Sequence, residues 1–226
     1  MIGWRFEDTL PCGRICRGLR VEDWTVAAVF ERPLARCDAP SAECGRLAED
    51  LVAATLGVAG TDVRVAGLQP TGRPVARVAG RDRGPSVSVS HVRGLIGAAV
   101  CTAGQVGLDI VDPADVGRTL DVFFTPDELA LMPDDVGLVR TLLWAAKEAA
   151  YKAARLDVAF RPRQVAIEGL SAAGFTWRVR DRAPAVVGAG RFAMVGRHVV
   201  AIAATSAAGD EGACAWATAA EAAACS

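Results

Sequence analysis

Two helix-length stretches, each followed by strand-length runs, most constrain what this 226-residue chain can fold into. The first is "SAECGRLAEDLVAATLG". Ser41 is placed to cap it, Leu47, Leu51, Ala54 and Val58 form a stripe at helical spacing, and Gly57 is placed to end it. Strand candidates follow near Val63 and at Ser86 to Ser90, where valine alternates with serine at the period of a half-buried strand. Two apolar runs then flank Ala103-Gly104-Gln105, which reads as a hairpin. The plan then recurs. "TPDEL" offers Thr125 as N-cap, Pro126 at the first helical position and Glu128 three residues past the cap. Pro133 interrupts, and a long helix is predicted from about Asp135 to Leu156. Strands are predicted at Val165 to Gly169, Phe175 to Arg180 and His198 to Ala203. This repetition predicts an α+β fold, a pseudo-twofold pair of similar lobes (residues 1–104 and 105–226) with the active site in the cleft between them.

Composition narrows the function. The chain is 52% hydrophobic and 23% charged, with net charge −1 and both signs spread along it. No basic block points to nucleic acid or a membrane surface, so neither is expected as a partner. The first residues, "MIGWRFEDTL", carry acids where an export signal needs an apolar run, and no apolar stretch approaches a membrane span. Seven cysteines without a Cys-x-x-Cys pair, and two histidines, His91 and His198, argue against structural zinc. Reduced thiols in a cytoplasmic monomer are the expectation.

Arginine dominates the basic residues; only two lysines occur, Lys147 and Lys152, on either side of Glu148 in "TLLWAAKEAAYKAARL". On a helix, Trp144, Glu148 and Lys152 share one face, with Tyr151 beside them. An exposed Glu-to-Lys pair stabilising the helix by about 0.2–0.5 kcal/mol is one reading. The other is a carboxylate for Mg²⁺ with a lysine for phosphate oxygens. Asp109, inside the apolar run "VGLDIVD", is costly to bury unless paired or metal-bound, although it could instead cap the next turn. Ser90 and His91 end a strand and offer a hydroxyl and ring N–H groups suited to phosphate, or a structural histidine. Arg73 in "TGRPVA" sits on a stiff turn, able to pair with a terminal phosphate or to remain solvated. "VVGAGRFA" matches a dinucleotide-binding glycine pattern, but a strand rather than a helix follows it, which excludes that reading.

The ordered set "GRP", "SVSH", "GLDIV", "FFTPDE", "WAAKEAAYKA" resembles the 4′-phosphopantetheinyl transferase superfamily, and more closely its two-lobed branch that serves surfactin-type synthases. The resemblance covers about Gly72 to Ala153. It implies an enzyme that moves phosphopantetheine from coenzyme A to a serine of an apo acyl or peptidyl carrier protein, with Mg²⁺, releasing adenosine 3′,5′-bisphosphate. By resemblance Asp109 and Glu148 hold the metal, Lys152 contacts the pyrophosphate, Ser90 and His91 face the coenzyme A phosphates, and Arg73 lies at the nucleotide end. Glu148 or a metal-bound water would take the serine proton, while Lys147 borders the site or supports the helix. The branch usually has a second acid where this chain has Val111. Asp112 would point to the opposite face of a continuous strand; Glu128 is a possible substitute or simply completes a capping box. Arg32 and Arg36 are candidate nucleotide contacts, and Arg118, Arg140 and Arg155 candidate carrier contacts. A non-catalytic protein of the same fold that binds coenzyme A or a carrier protein is the alternative.

Overall fold

The computed structural model describes residues 6–9, 15–21, 26–31, 40–68, 72–131, 137–156, 159–171, 174–180, 182 and 184–205. The fold is α+β. Strands β1 (Phe6–Thr9), β2 (Ile15–Val21) and β3 (Val26–Glu31) precede helix α1 (Pro40–Leu56). Then come β4 (Val63–Leu68), β5 (Arg73–Val78), β6 (Ser86–Val92) and β7 (Leu95–Cys101). After β8 (Val106–Val111) follow the short α2 (Pro126–Ala130), the long α3 (Gly137–Ala154), and strands β9 (Val165–Leu170), β10 (Phe175–Val179), β11 (Val187–Val195) and β12 (His198–Thr205).

These strands make two five-stranded sheets, ordered β1-β2-β3-β7-β6 and β8-β12-β11-β10-β9, and a separate β4-β5 pair. Each large sheet repeats one scheme: the strand before its helix pairs antiparallel with the last strand after it, β3 with β7 and β8 with β12. In the second sheet the intervening β9-β10 hairpin stays in the ladder; its counterpart in the first half, β4-β5, stands apart.

The sequence reading is corrected at two places. The runs around Ala103-Gly104-Gln105 do not pair as a hairpin, because β7 and β8 belong to different sheets. The helix α1 stripe is Cys44, Leu47, Ala48, Leu51 and Val52, all buried, whereas Ala54 faces solvent. Small alanines made several registers equally plausible from sequence alone; Leu56 and Val58 pack only at the edge of that core. Gly57 ends the helix with φ 65°, as its position foretold.

"SVSVS" is buried on both faces. Its valines point to α1, and its serines form a seam with β8. The hydroxyls of Ser86, Ser88 and Ser90 accept the backbone N–H groups of Val106, Leu108 and Ile110 at 3.1, 2.9 and 3.2 Å. Side chains thus replace a main-chain ladder between two sheets and satisfy donors that burial would otherwise orphan. Beside this seam α3 packs on β8, and its Ala145, Ala146, Ala149, Ala150 and Ala153 are all buried. A Cβ at Gly107 would run into the Ala149 carbonyl oxygen and the Ala153 nitrogen. Only glycine allows this approach, so Gly107→Ala is expected to push α3 off β8. The check is a lowered thermal midpoint together with loss of the site described next.

Candidate active site

Close packing of α3 on β8 sets the site. Asp109, 3% exposed, occupies the middle of β8 on the side facing α3, and Glu148 and Lys152 come to it from consecutive turns of that helix. Lys152 Nζ donates to Asp109 Oδ1 at 2.7 Å and to the Leu108 carbonyl at 2.9 Å. Ser90 Oγ donates to the same carboxylate oxygen at 3.1 Å. The Glu148 and Asp109 carboxyls are hydrogen-bonded to each other, and the Trp144 indole N–H donates to Glu148. Burial, then the neighbouring Asp109 charge, push Glu148 up to about 8 against the opposing pull of Lys152. Two acids and a cation thus occupy one partly desolvated point, where Glu148 keeps its proton at neutral pH.

This cluster lines a cleft of about 530 Å³ whose other wall is the detached β4-β5 hairpin and the start of α1. Ser90 and His91 line it from β6, and Gly72 and Pro74 from the hairpin. Five of the six sequence-predicted site residues therefore meet here: Asp109, Glu148, Lys152, Ser90 and His91. Arg73, half-buried between Gly72 and Pro74, does not line the cleft, and it stands near enough to Arg155 for the two charges to repel.

Glu128 is not near this work. It closes the capping box of α2, accepting the Thr125 N–H at 2.8 Å while Thr125 Oγ1 accepts the Glu128 N–H. Its other oxygen takes the Ile167 N–H at 2.8 Å and pairs with Lys147 Nζ at 2.7 Å, both side chains being essentially unexposed. Lys147 also donates to the Pro162 and Val165 carbonyls. Its ammonium is pushed below the usual lysine range by burial, and Glu128 holds it up. The two lysines therefore have different placements: Lys147 anchors α3 to α2 and β9, and Lys152 lines the cleft. Val111 faces α3 in the core, and Asp112 caps the next 3₁₀ turn and pairs with Arg197, so neither supplies a further acid to the cluster. Among the described residues no group of three metal-ligating side chains occurs. Arg140 is engaged by Asp121 through two hydrogen bonds, at 2.6 and 3.2 Å, which removes it from the candidate carrier contacts. Arg32 and Arg36 lie outside the described residues.

Residues 105–203 match the family model of the 4′-phosphopantetheinyl transferase superfamily. The matched span is similar to the superfamily. It carries Asp109, Glu148 and Lys152; Arg73, Ser90 and His91 precede it. The superfamily comprises transferases that use coenzyme A and carrier proteins. The chain matches no curated protein. No helix among the described residues is long and apolar enough to cross a membrane.

Proposed function

We propose that this protein transfers 4′-phosphopantetheine from coenzyme A to a serine of an apo acyl or peptidyl carrier protein, with Mg²⁺, as a cytoplasmic monomer divided near Gly104 into two similar halves. The observation that carries the reading is the contact of Asp109, Glu148 and Lys152 at the wall of the cleft. Two carboxyls sharing a proton fit a divalent cation, which would take the proton's place and end their repulsion. Oxygen-only ligands, two carboxylates completed by water and phosphate, suit Mg²⁺ even without an acid at Val111. Asp109 and Glu148 would hold the ion, and when bound it supplies charge neutralisation for the donor's diphosphate.

The remaining work falls to side chains of this chain. Lys152 spends two of its three N–H groups on Asp109 and Leu108, leaving one for the departing bisphosphate, and its side chain is 32% exposed. Ser90 aligns the Asp109 carboxylate through its hydroxyl proton, and His91 offers ring N–H groups to phosphate. Glu148, once ionised, is the base for the acceptor serine. Trp144 fixes that carboxyl and touches Phe123 (5.7 Å between centroids) and Phe160 (5.9 Å), an apolar wall that limits water beside the reacting groups. Val122, Phe123, Leu129, Leu131 and Arg118 are all exposed on the segment between β8 and α3, side chains suited to an acidic, partly apolar carrier.

Incubation with Mg²⁺, coenzyme A and an apo carrier protein tests the proposal through the carrier's mass. Gain of a phosphopantetheine supports it. No gain across several carriers, with coenzyme A still bound, favours the alternative of a binding protein, which the core packing of Val111 motivates.

The raised Glu148 pKa gives a second expectation. Between about 4.5 and about 8 the native state holds a proton that the unfolded chain has lost, so metal-free stability falls as pH rises through this window. Mg²⁺ binding must expel that proton. Calorimetry at neutral pH in buffers of different ionisation enthalpy should therefore register close to one proton released per ion, with tighter binding toward pH 8. Binding without proton release would remove Glu148 from the metal site.

A further inference from the structure

A second concavity, of about 1030 Å³, lies on the outer face of the β4-β5 hairpin and meets the donor cleft only at Ala66. Five arginines line it: Arg64 from β4, Arg77 from β5, Arg81 and Arg83 from the following turn, and Arg155 from the end of α3. Among the described residues Asp62 and Asp82 are its only acids, and none of the five arginines makes an ion pair. Arg64 and Arg77 stand directly opposite in the β4-β5 register, an arrangement that is unfavourable unless an anion bridges them.

The scaffold is rigid. Ala79 N–H donates to the Asp62 carbonyl at 2.8 Å, Arg81 N–H to the Val78 carbonyl at 3.1 Å, and a Cβ at Gly84 would collide with the Ala76 backbone. Arg155 holds a left-handed backbone, φ 47°, and donates to Ser86 Oγ at 3.2 Å, so its guanidinium is fixed at the seam between the sheets. The arginines come from separate elements, β4, β5, the following turn and the end of α3, rather than from one loop that would wrap a single phosphate. Apolar Val75 and Pro85 also line it, and none of the described lining residues is an aromatic on which nucleic acid bases could stack. Carboxylates on one face of a helix recur at about 5–6 Å, and alternate residues of a strand at about 6.6–6.8 Å, so an extended row of cations matches a row of acids.

We infer that this groove docks an acidic, amphipathic segment of a partner protein, at a site separate from the donor cleft. The inference goes beyond the proposed transfer reaction and does not depend on it. Fluorescence anisotropy with a labelled Glu/Leu-rich peptide tests it, against a peptide with Gln in place of Glu. The acidic peptide should bind, added salt should weaken it, and the pair Arg77→Glu and Arg81→Glu should weaken it roughly tenfold or more. Circular dichroism should show both variants folded, since the two side chains are exposed. Glu148→Gln should bind the peptide like wild type even though it loses transfer, which separates this test from that of the reaction. Equal binding by the charge-reversed protein would overturn the inference, as would preference for inorganic polyphosphate or an oligonucleotide over the acidic peptide.

Discussion

Glu148→Gln should keep the fold and lose transfer by roughly 10²- to 10³-fold or more, in kcat rather than in coenzyme A affinity. Glutamine preserves the Trp144 contact and the volume of the side chain but cannot ionise, so it can neither bind a cation as a carboxylate nor take a proton from the acceptor. Lys152→Ala should lose a similar factor for a different reason. It removes the N–H left over for the departing phosphate and leaves Asp109, 5% exposed at its side chain, without its cation. The two variants separate by calorimetry: Glu148→Gln should abolish the proton release on Mg²⁺ binding, and Lys152→Ala should retain it. A wild-type rate in either variant would refute the assignment of roles.

Lys147→Met should instead cost stability, by about 3–5 kcal/mol, because it strands the buried Glu128 carboxylate. The double change Glu128→Gln with Lys147→Met removes both charges and should recover much of that loss in denaturant unfolding. Because Glu128 is held by Thr125, Ile167 and Lys147, Glu128→Gln alone should leave Mg²⁺ affinity unchanged. An affinity loss without a stability loss would mean that Glu128 reaches the metal after all.

Much of this was legible in the sequence. Asp109 declared itself as an acid inside an apolar run, and Glu148 and Lys152 as helical neighbours in a chain nearly free of lysine. Thr125, Pro126 and Glu128 spelled out a capping box that the structure contains in full. What sequence could not show is where local signals end and tertiary contacts begin. A Thr-x-x-Glu pattern does not reveal that the same Glu128 also receives a lysine from another helix. The alternation in "SVSVS" predicts one polar face, yet that face meets β8 rather than water, because twenty residues later the chain returns to offer its backbone N–H groups. Alanine blurred the α1 stripe for a simple reason: it fits a core and a surface equally well.

The central claim is that Asp109 and Glu148 grip one divalent cation together. Crystals grown with Mn²⁺ and coenzyme A test it through anomalous scattering. The account expects a single peak bonded to an oxygen of each carboxylate and to the donor's diphosphate. A peak bonded to Asp109 alone, with Glu148 turned away, or no peak in a crystal that holds coenzyme A, would contradict it.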